Sequence, residues 1–311
     1  MNILLLGASG FIGSNILQDL IDLDCNVFAV TRRNKEFIRN NVERANWVSY
    51  AELSRDIPGH QIDGIVSVAG VGNPSFFETD PTSALVLERS ISEWVCNLAV
   101  QFRVPRIVYV SSGGTVYGEG WSGGSGRSFL ETDECAPISA YGKCKLLGEQ
   151  HLTSCVASAG IHCSLSILRA SNIYGTLYEK GGRQGLINST INLALGDQSI
   201  VVYGDGNIYR DYLFAADLSA SIVRALQTDD GGTYNVAAGI SHSILDVIKT
   251  VESVLGHPLR IRFEESRSFD IKYSGLSIIK AQQVLGWRPL VGLQSGIEKL
   301  VEFYRKQPHI L

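Results

Sequence analysis

A chain of 311 residues with 45% apolar and 19% charged side chains can bury a large core and is neither disordered nor fibrous. Its formal charge of -4 provides no basic field, which argues against nucleic acid as the main partner. No apolar run approaches the roughly 18 residues of a membrane helix. The first one, Ile3–Leu6, breaks at Gly7 without a basic leader, so a cytoplasmic protein with no membrane partner is expected.

In chain order, the first half alternates strand and helix. Asn2–Leu6 is a continuous apolar run ending in glycine, the pattern of a strand buried on both faces. Ile16, Leu17, Leu20, Ile21 and Leu23 put a helix over 13–23. Strands follow at 27–30, 47–50 and 62–69, then a helix from Pro81 to about Arg103, a strand at 106–111, a helix over 141–159 and a strand at 163–169. Parallel strands need crossover helices, so the alternation predicts an α/β fold with a doubly wound parallel sheet over residues 1–169. Residues 170–311 read mainly as a smaller α/β lobe, with segments near 205–240 returning to the sheet. Its strands are expected near 200–203, 211–214 and 260–263, and its helices near 186–195, 215–227, 243–255, 277–285 and 295–306. Gly118–Thr132, with five glycines and three serines, reads as a loop, either a plain connector or a lid over a site.

The six cysteines contain no CxxC pair and read as reduced thiols. Cys144, His151, Cys155, His162 and Cys163 fall close together, but a helix and a buried strand account for them, and no metal site is expected.

Gly7-Ala8-Ser9-Gly10-Phe11-Ile12-Gly13 follows the first strand and opens the first helix. Gly7 permits the tight turn, Gly10 lets the backbone approach a pyrophosphate, and Gly13 allows close packing of helix on strand. The helix N-terminus adds free N–H groups and a positive dipole end. These features predict a Rossmann-type dinucleotide site, with Ser9, Phe11, Ile12 and Ala69 around the turn. The second strand ends Thr31-Arg32-Arg33, eighteen to twenty residues after Gly13, with no carboxylate to take a ribose hydroxyl. A hydroxyl and two arginines suit a 2′-phosphate, which favours NADP(H) over NAD(H). The alternative is that the arginines simply begin an exposed helix.

Tyr141 and Lys145 stand four residues apart on one helix and so face the same side. A phenol is a poor base at neutral pH, and a nearby ammonium favours its phenolate. Thirty residues upstream, Val110-Ser111-Ser112-Gly113-Gly114-Thr115-Val116-Tyr117-Gly118 closes the fifth strand.

With these motifs the chain resembles the extended short-chain dehydrogenase/reductase family, especially the nucleotide-sugar epimerases and dehydratases typified by UDP-galactose 4-epimerase. GASGFIG, SSGGTVYG, YGKCK, LRASNIYG at 168–175, YGDGNIYRDYLFAADL at 203–218, the stretch 267–270 and LGWRP at 285–289 occur in the family's order. The resemblance implies that Tyr141 is the acid/base and Lys145 its partner. It places Asn172 by a nucleotide-diphosphate sugar, Arg210 and Arg267 on the diphosphate, and Asp270 on a ribose hydroxyl. It also implies a homodimer pairing the helices 81–103 and 141–159. Gly113 stands where family members commonly carry a hydroxyl. If the backbone stays extended, Thr115 faces the same side and supplies it, with Ser112 second. Gly114 and Thr115 replace the acidic pair of the 4,6-dehydratases, which argues against dehydration. The expected activity is therefore epimerisation at C4 of a UDP-hexose through a 4-keto intermediate. The alternative is NADPH-dependent reduction of a nucleotide 4-keto-sugar. A non-catalytic dinucleotide sensor is opposed by the intact Tyr141 and Lys145.

Overall fold

The structure is a computed structural model describing residues 1–31, 45–49, 53, 61–70, 74–176, 185–266 and 271–307. Seven parallel strands form the main sheet: β1 (Asn2–Leu6), β2 (Asn26–Thr31), β3 (Asn46–Ser49), β4 (Gly64–Ser67), β5 (Arg106–Ser112), β9 (Ser164–Ala170) and β13 (Gly232–Val236). Their spatial order is β13-β9-β5-β4-β1-β2-β3. Side chains alternate across each strand, so an apolar run must be covered on both sides. Ile3 and Leu5 of β1 pack with Ile16 and Leu20 of the helix Phe11–Asp22 and with Leu218 and Ile222 of the helix Ala215–Gln227. Leu4 and Leu6 pack on the other face, with Val95 and Leu98 of the helix Pro81–Gln101 and Leu152 of the helix Ala140–Ser158. Two-sided burial explains why β1 reads as unbroken apolar sequence.

The periodicity does not predict β13, because its five residues include a polar Asn235 and begin with the second of two adjacent glycines. Its place comes from pairing: Gly232–Val236 runs in register with Ser166–Ala170 of β9. Asn235 is buried there, its amide donating to the Phe129 carbonyl at 2.9 Å and its Oδ1 accepting from the Tyr117 hydroxyl at 2.8 Å.

The glycine-rich 118–132 segment differs from an open loop. It holds a two-residue hairpin, β6 (Trp121–Ser122) against β7 (Ser125–Gly126), and β8 (Ser128–Phe129), which pairs with β16 (Tyr273–Leu276). The Glu119 carboxylate accepts the N–H groups of Trp121 (2.7 Å), Lys272 (2.7 Å) and Tyr273 (3.0 Å), and Trp121 stacks on Tyr209 at 6.2 Å. Glycine serves close approach at Gly120, where a Cβ would lie 3.0 Å from the Tyr273 carbonyl, and left-handed backbone at Gly123 and Gly124, with φ +61° and +86°.

A second sheet carries β10 (Asn172–Tyr174), β12 (Tyr209–Phe214), β16 and β8, with β14 (Ser241–Ser243) antiparallel on β12. β11 (Ile200–Tyr203) pairs with β15 (Ile261–Glu264). Tyr174, Ile187, Ile191, Val247, Leu300 and Tyr304 form a separate core among the helices Gly185–Leu195, Ile244–Leu255 and Leu293–Lys306. Among the described residues no helix is long and apolar enough to cross a membrane.

Asp217 ties the C-terminal segment to the main sheet. It is buried, its two oxygens accept the Leu290 and Val291 N–H groups at 2.9 and 3.0 Å, and its carbonyl accepts the Trp287 indole N–H at 2.9 Å. Asp217→Ala would orphan two backbone donors, at about 1–3 kcal/mol. The expected outcome is a thermal midpoint several degrees lower by differential scanning fluorimetry, with the far-UV circular dichroism of the native protein retained below it.

Candidate active site

Parallel strands direct their C-terminal ends to one edge of the sheet. Gly7 follows β1, Thr31 ends β2, Ala69 follows β4 and Ser112 ends β5, so all four meet along that edge. Gly7 has φ +88°, and a Cβ there would lie 2.7 Å from the Ala69 nitrogen. A Cβ on Gly10 would sit 3.3 Å from the Gly7 carbonyl, and one on Gly13 would collide with that same carbonyl. The turn is closed by Gly10 N–H donating to Gly7 O at 3.0 Å. The helix Phe11–Asp22 then starts with no side chain capping it at Gly10, which leaves its amide end open to an anion. Thr31 Oγ1 donates to Ser9 Oγ at 3.2 Å, which brings the end of β2 to the turn. These residues fit a dinucleotide: a Cβ at Gly7 or Gly13 would collide with backbone, one at Gly10 would be crowded, and no side chain caps the helix start. Arg32 and Arg33 lie outside the described residues.

Tyr141 sits in the first turn of the helix Ala140–Ser158, whose N-cap Ser139 accepts the Gly142 N–H at 3.1 Å. Its ring meets Phe77 edge-on at 5.0 Å. Lys145, one turn on, is 5% exposed, and its ammonium donates to Glu88 Oε1 at 3.2 Å and to the Tyr109 hydroxyl at 3.5 Å. Burial works against the Lys145 ammonium, but Glu88, Tyr109 and Tyr141 outweigh it and hold its pKa well above the usual lysine value. Burial pushes the Tyr109 phenol well above its own usual value.

The expectation of an extended chain through Gly113 and Gly114 is overturned. Gly113–Val116 is a single helical turn with Ser112 as its N-cap, so residues 113 and 115 do not alternate onto a common face. Thr115 Oγ1 instead donates back to the Ser112 carbonyl at 3.2 Å. Close packing leaves room only for glycine at the start of the turn: a Cβ on Gly113 would lie 2.6 Å from Leu276 Cδ1 and 2.8 Å from the Arg169 carbonyl. Both neighbours are remote in sequence, which is why spacing alone could not reveal the bend. The turn still abuts the Tyr141 helix, since a Cβ on Gly142 would lie 2.7 Å from the Thr115 carbonyl. Ser112 is half-buried at the end of β5, and its side chain does not cap the turn it precedes.

Asn172 and Arg210 line one cavity of about 380 Å³, together with Leu186, Tyr203, Ile208 and Ile244. Asn172 joins this cavity to the 113–116 turn, because its Oδ1 is 3.1 Å from where a Gly114 Cβ would stand. Arg210 Nη1 donates to the Tyr209 carbonyl at 2.8 Å. Its neighbour Asp211 accepts the Ala238 and Gly239 N–H groups at 2.7 Å each. Arg267 and Asp270 lie outside the described residues. The Cys96 thiol is hydrogen-bonded to Cys155, and burial pushes it up to about 11. Among the described residues no group of three His, Cys, Asp or Glu side chains is arranged to hold a metal ion.

Sequence reasoning missed Glu88 and Tyr109. Tyr109 reads as an ordinary core aromatic of β5. Glu88 had one usable signal, since it falls on the stripe Ala84, Glu88, Ser92, Val95, Ala99 that faces inward on its helix.

Residues 3–237 match the NAD dependent epimerase/dehydratase family. A putative UDP-glucose 4-epimerase of Methanocaldococcus jannaschii is 28% identical over 97% of this chain and 98% of its own length. A UDP-glucose 4-epimerase of Mycolicibacterium smegmatis is 29% identical over 99% of both chains. A dTDP-4-dehydro-6-deoxyglucose reductase of Escherichia coli is 27% identical over 97% of both. Among solved structures, the UDP-glucose 4-epimerase of Thermotoga maritima with UDP-glucose superposes with a TM-score of 0.89 at 25% identity, over 99% of this chain and 100% of that one. The Thermus thermophilus UDP-glucose 4-epimerase in complex with NAD gives 0.86 at 25% identity, over the same shares of the two chains. The fold is thus the Rossmann type, and the chain belongs to the NAD dependent epimerase/dehydratase family.

The cradle's geometry has a direct consequence. Gly13→Ala should push the helix Phe11–Asp22 away from Gly7 and weaken NADH and NADPH binding at least about tenfold, the equivalent of losing one charge-assisted contact. Quenching or enhancement of nicotinamide fluorescence on titration measures it, and near-native affinity would disprove the close approach.

Proposed function

We propose that this chain is an NAD(P)-dependent nucleotide-diphosphate-sugar epimerase acting at C4 of a UDP-hexose through a 4-keto intermediate. The observation that carries the reading is a juxtaposition. The helix that carries Tyr141 and the buried Lys145 abuts the 113–116 turn at Gly142, and that turn touches Asn172 of the cavity lined by Arg210. In this reading Gly7, Ser9, Gly10, Phe11, Ile12, Gly13, Thr31 and Ala69 hold the dinucleotide, with Arg32 and Arg33 on a 2′-phosphate when NADP(H) is bound. The nicotinamide supplies reversible hydride exchange with the sugar carbon. Tyr141 takes the C4 hydroxyl proton and later returns it, and Lys145 stabilises the phenolate and holds the nicotinamide ribose. Asn172 contacts the sugar nucleotide. Arg210 and Arg267 clasp its diphosphate, for which guanidinium forks are suited in an otherwise acidic chain, and Asp270 takes a ribose hydroxyl. A homodimer through the helices Pro81–Gln101 and Ala140–Ser158 belongs to the same reading, supported by the exposed Leu85, Val86, Leu87 and Val100 on the first of them.

A second reading, an NADPH-dependent reductase of a nucleotide 4-keto-sugar, is favoured by Thr31-Arg32-Arg33 and by the similarity to the Escherichia coli reductase. A panel of UDP-glucose, UDP-galactose, their N-acetyl forms and nucleotide 4-keto-6-deoxy-sugars separates the two, with Tyr141→Phe as the inactive control. The epimerase interconverts a UDP-hexose and its C4 epimer with no net change in nicotinamide absorbance. Turnover of the keto-sugars alone, one NADPH per product, would replace the epimerase by the reductase.

Of the two hydroxyls at that turn, Thr115 is proposed to align the reacting oxygen by turning its proton from the Ser112 carbonyl to that oxygen when the sugar binds. Thr115→Val should lower kcat at least about tenfold with KM little changed, because the contact matters most as the proton moves. A silent Thr115→Val beside a severe Ser112→Ala would transfer the role to Ser112.

A further inference from the structure

We propose that Glu88 is a positioning residue of this site: its buried carboxylate fixes the Lys145 ammonium, and the Tyr109 hydroxyl holds that carboxylate in place. The proposal rests on the reading of Tyr141 and Lys145 as the acid/base pair. Glu88 Oε1 is the shared acceptor, taking the Tyr109 O–H at 2.6 Å and the Lys145 N–H at 3.2 Å. The three side chains come from three different elements, the helix Pro81–Gln101, β5 and the helix Ala140–Ser158. Glu88 and Tyr109 are 0% exposed.

Stability does not explain this choice of residues. A buried ion pair is often no better than a well-packed apolar cluster of the same volume, because desolvating each ion costs several kcal/mol. Among the described residues Glu88 Oε2 is buried without a hydrogen-bond partner, which adds to that cost. The Lys145 helix also gives up a side chain to make room. A Cβ on Gly148 would collide with the Tyr109 hydroxyl and come within 3.1 Å of Glu88 Oε1. A glycine in a helix interior is less favourable than alanine, because more backbone freedom is lost on folding. Two independent sacrifices therefore converge on keeping one carboxylate against one ammonium.

What the carboxylate supplies is definition. A lysine stem has four rotatable carbons, and a buried ammonium without a counter-ion tends to lose its proton. Glu88 faces Lys145 from the helix Pro81–Gln101, Tyr109 faces it from β5, and Tyr141 and Cys144 stand beside the pair on its own helix. Of these, Glu88 brings the full negative charge that keeps the ammonium charged and immobile one turn below Tyr141.

The test uses the full chain with lysine labelled at Cε with carbon-13, the Lys145 resonance being the one missing from Lys145→Met. In Glu88→Gln that resonance should titrate at least about one pH unit lower than in the wild type, since one unit corresponds to a modest loss of charge pairing. With substrate, kcat of Glu88→Gln should fall off at correspondingly lower pH while KM stays within a few fold. If Glu88→Gln does not give a native circular dichroism spectrum, Tyr109→Phe, which keeps both charges, should move the resonance the same way by less. An unmoved Lys145 titration in the folded variants overturns the proposal, as does a kcat profile merely scaled down without a shift. The resonance is read without substrate, so inactivity on every sugar would fail the functional reading and leave the titration to decide the role of Glu88.

Discussion

A parallel sheet buried on both faces imposes one constraint from which the site follows. Each strand must be re-entered from the same end, so every crossover helix begins where a strand has just finished. Gly7, Thr31, Ala69, Ser112 and Ala170 are therefore brought to a single edge although 163 residues separate the first from the last. Within that edge the glycine turn sets the spacing. Gly7 must lie against Ala69, and Gly13 against Gly7, before the helix Phe11–Asp22 can pack on β1.

The helix Ala140–Ser158 departs from ordinary amphipathic design, because the side it buries carries Lys145 and Glu149 as well as Cys144 and Leu152. Glu149, one turn beyond Lys145, receives the Arg169 guanidinium through Nε at 3.1 Å and Nη2 at 2.7 Å, and the Ser111 hydroxyl at 2.5 Å. Arg169 Nη1 continues to the Tyr117 hydroxyl at 2.9 Å, and Tyr117 donates on to Asn235. This network links β5, β9 and β13 through side chains above their backbone ladder. Fully paired buried ions of this kind rigidify a site, and removing either partner would strand the other in a low-dielectric interior. Two buried ion pairs thus hold the helix that presents Tyr141 from two sides, Glu88 of the helix Pro81–Gln101 on Lys145 and Arg169 of β9 on Glu149.

The cavity beside Asn172 belongs to a different kind of construction. Its wall is β10 and β12 of the second sheet, β11 and the helix Gly185–Leu195, with arginine reaching in from β12. Alternation along β12 turns Arg210 toward the cavity while Asp211 turns away to hold the backbone of Ala238 and Gly239. A charged group on one face is anchored by a carboxylate on the other, so the position of Arg210 depends on backbone far along the chain.

Local sequence determined much of this protein. The apolar run of Asn2–Leu6, the GxxGxxG turn, the helical spacing of 13–23 and the four-residue spacing of Tyr141 and Lys145 are short-range patterns, and they sufficed for the parallel sheet, the tight glycine turn and the helix that carries that pair. What only the tertiary structure decided involves partners remote in the chain. The close packing around Gly113 comes from Leu276 and Arg169, the strand at 232–236 from β9, the docking of the 118–132 segment from Tyr273, and the charge pairing of Lys145 from Glu88. Periodicity reports which face of an element is buried, whereas these contacts depend on what it is buried against, and that is set only when the crossovers close.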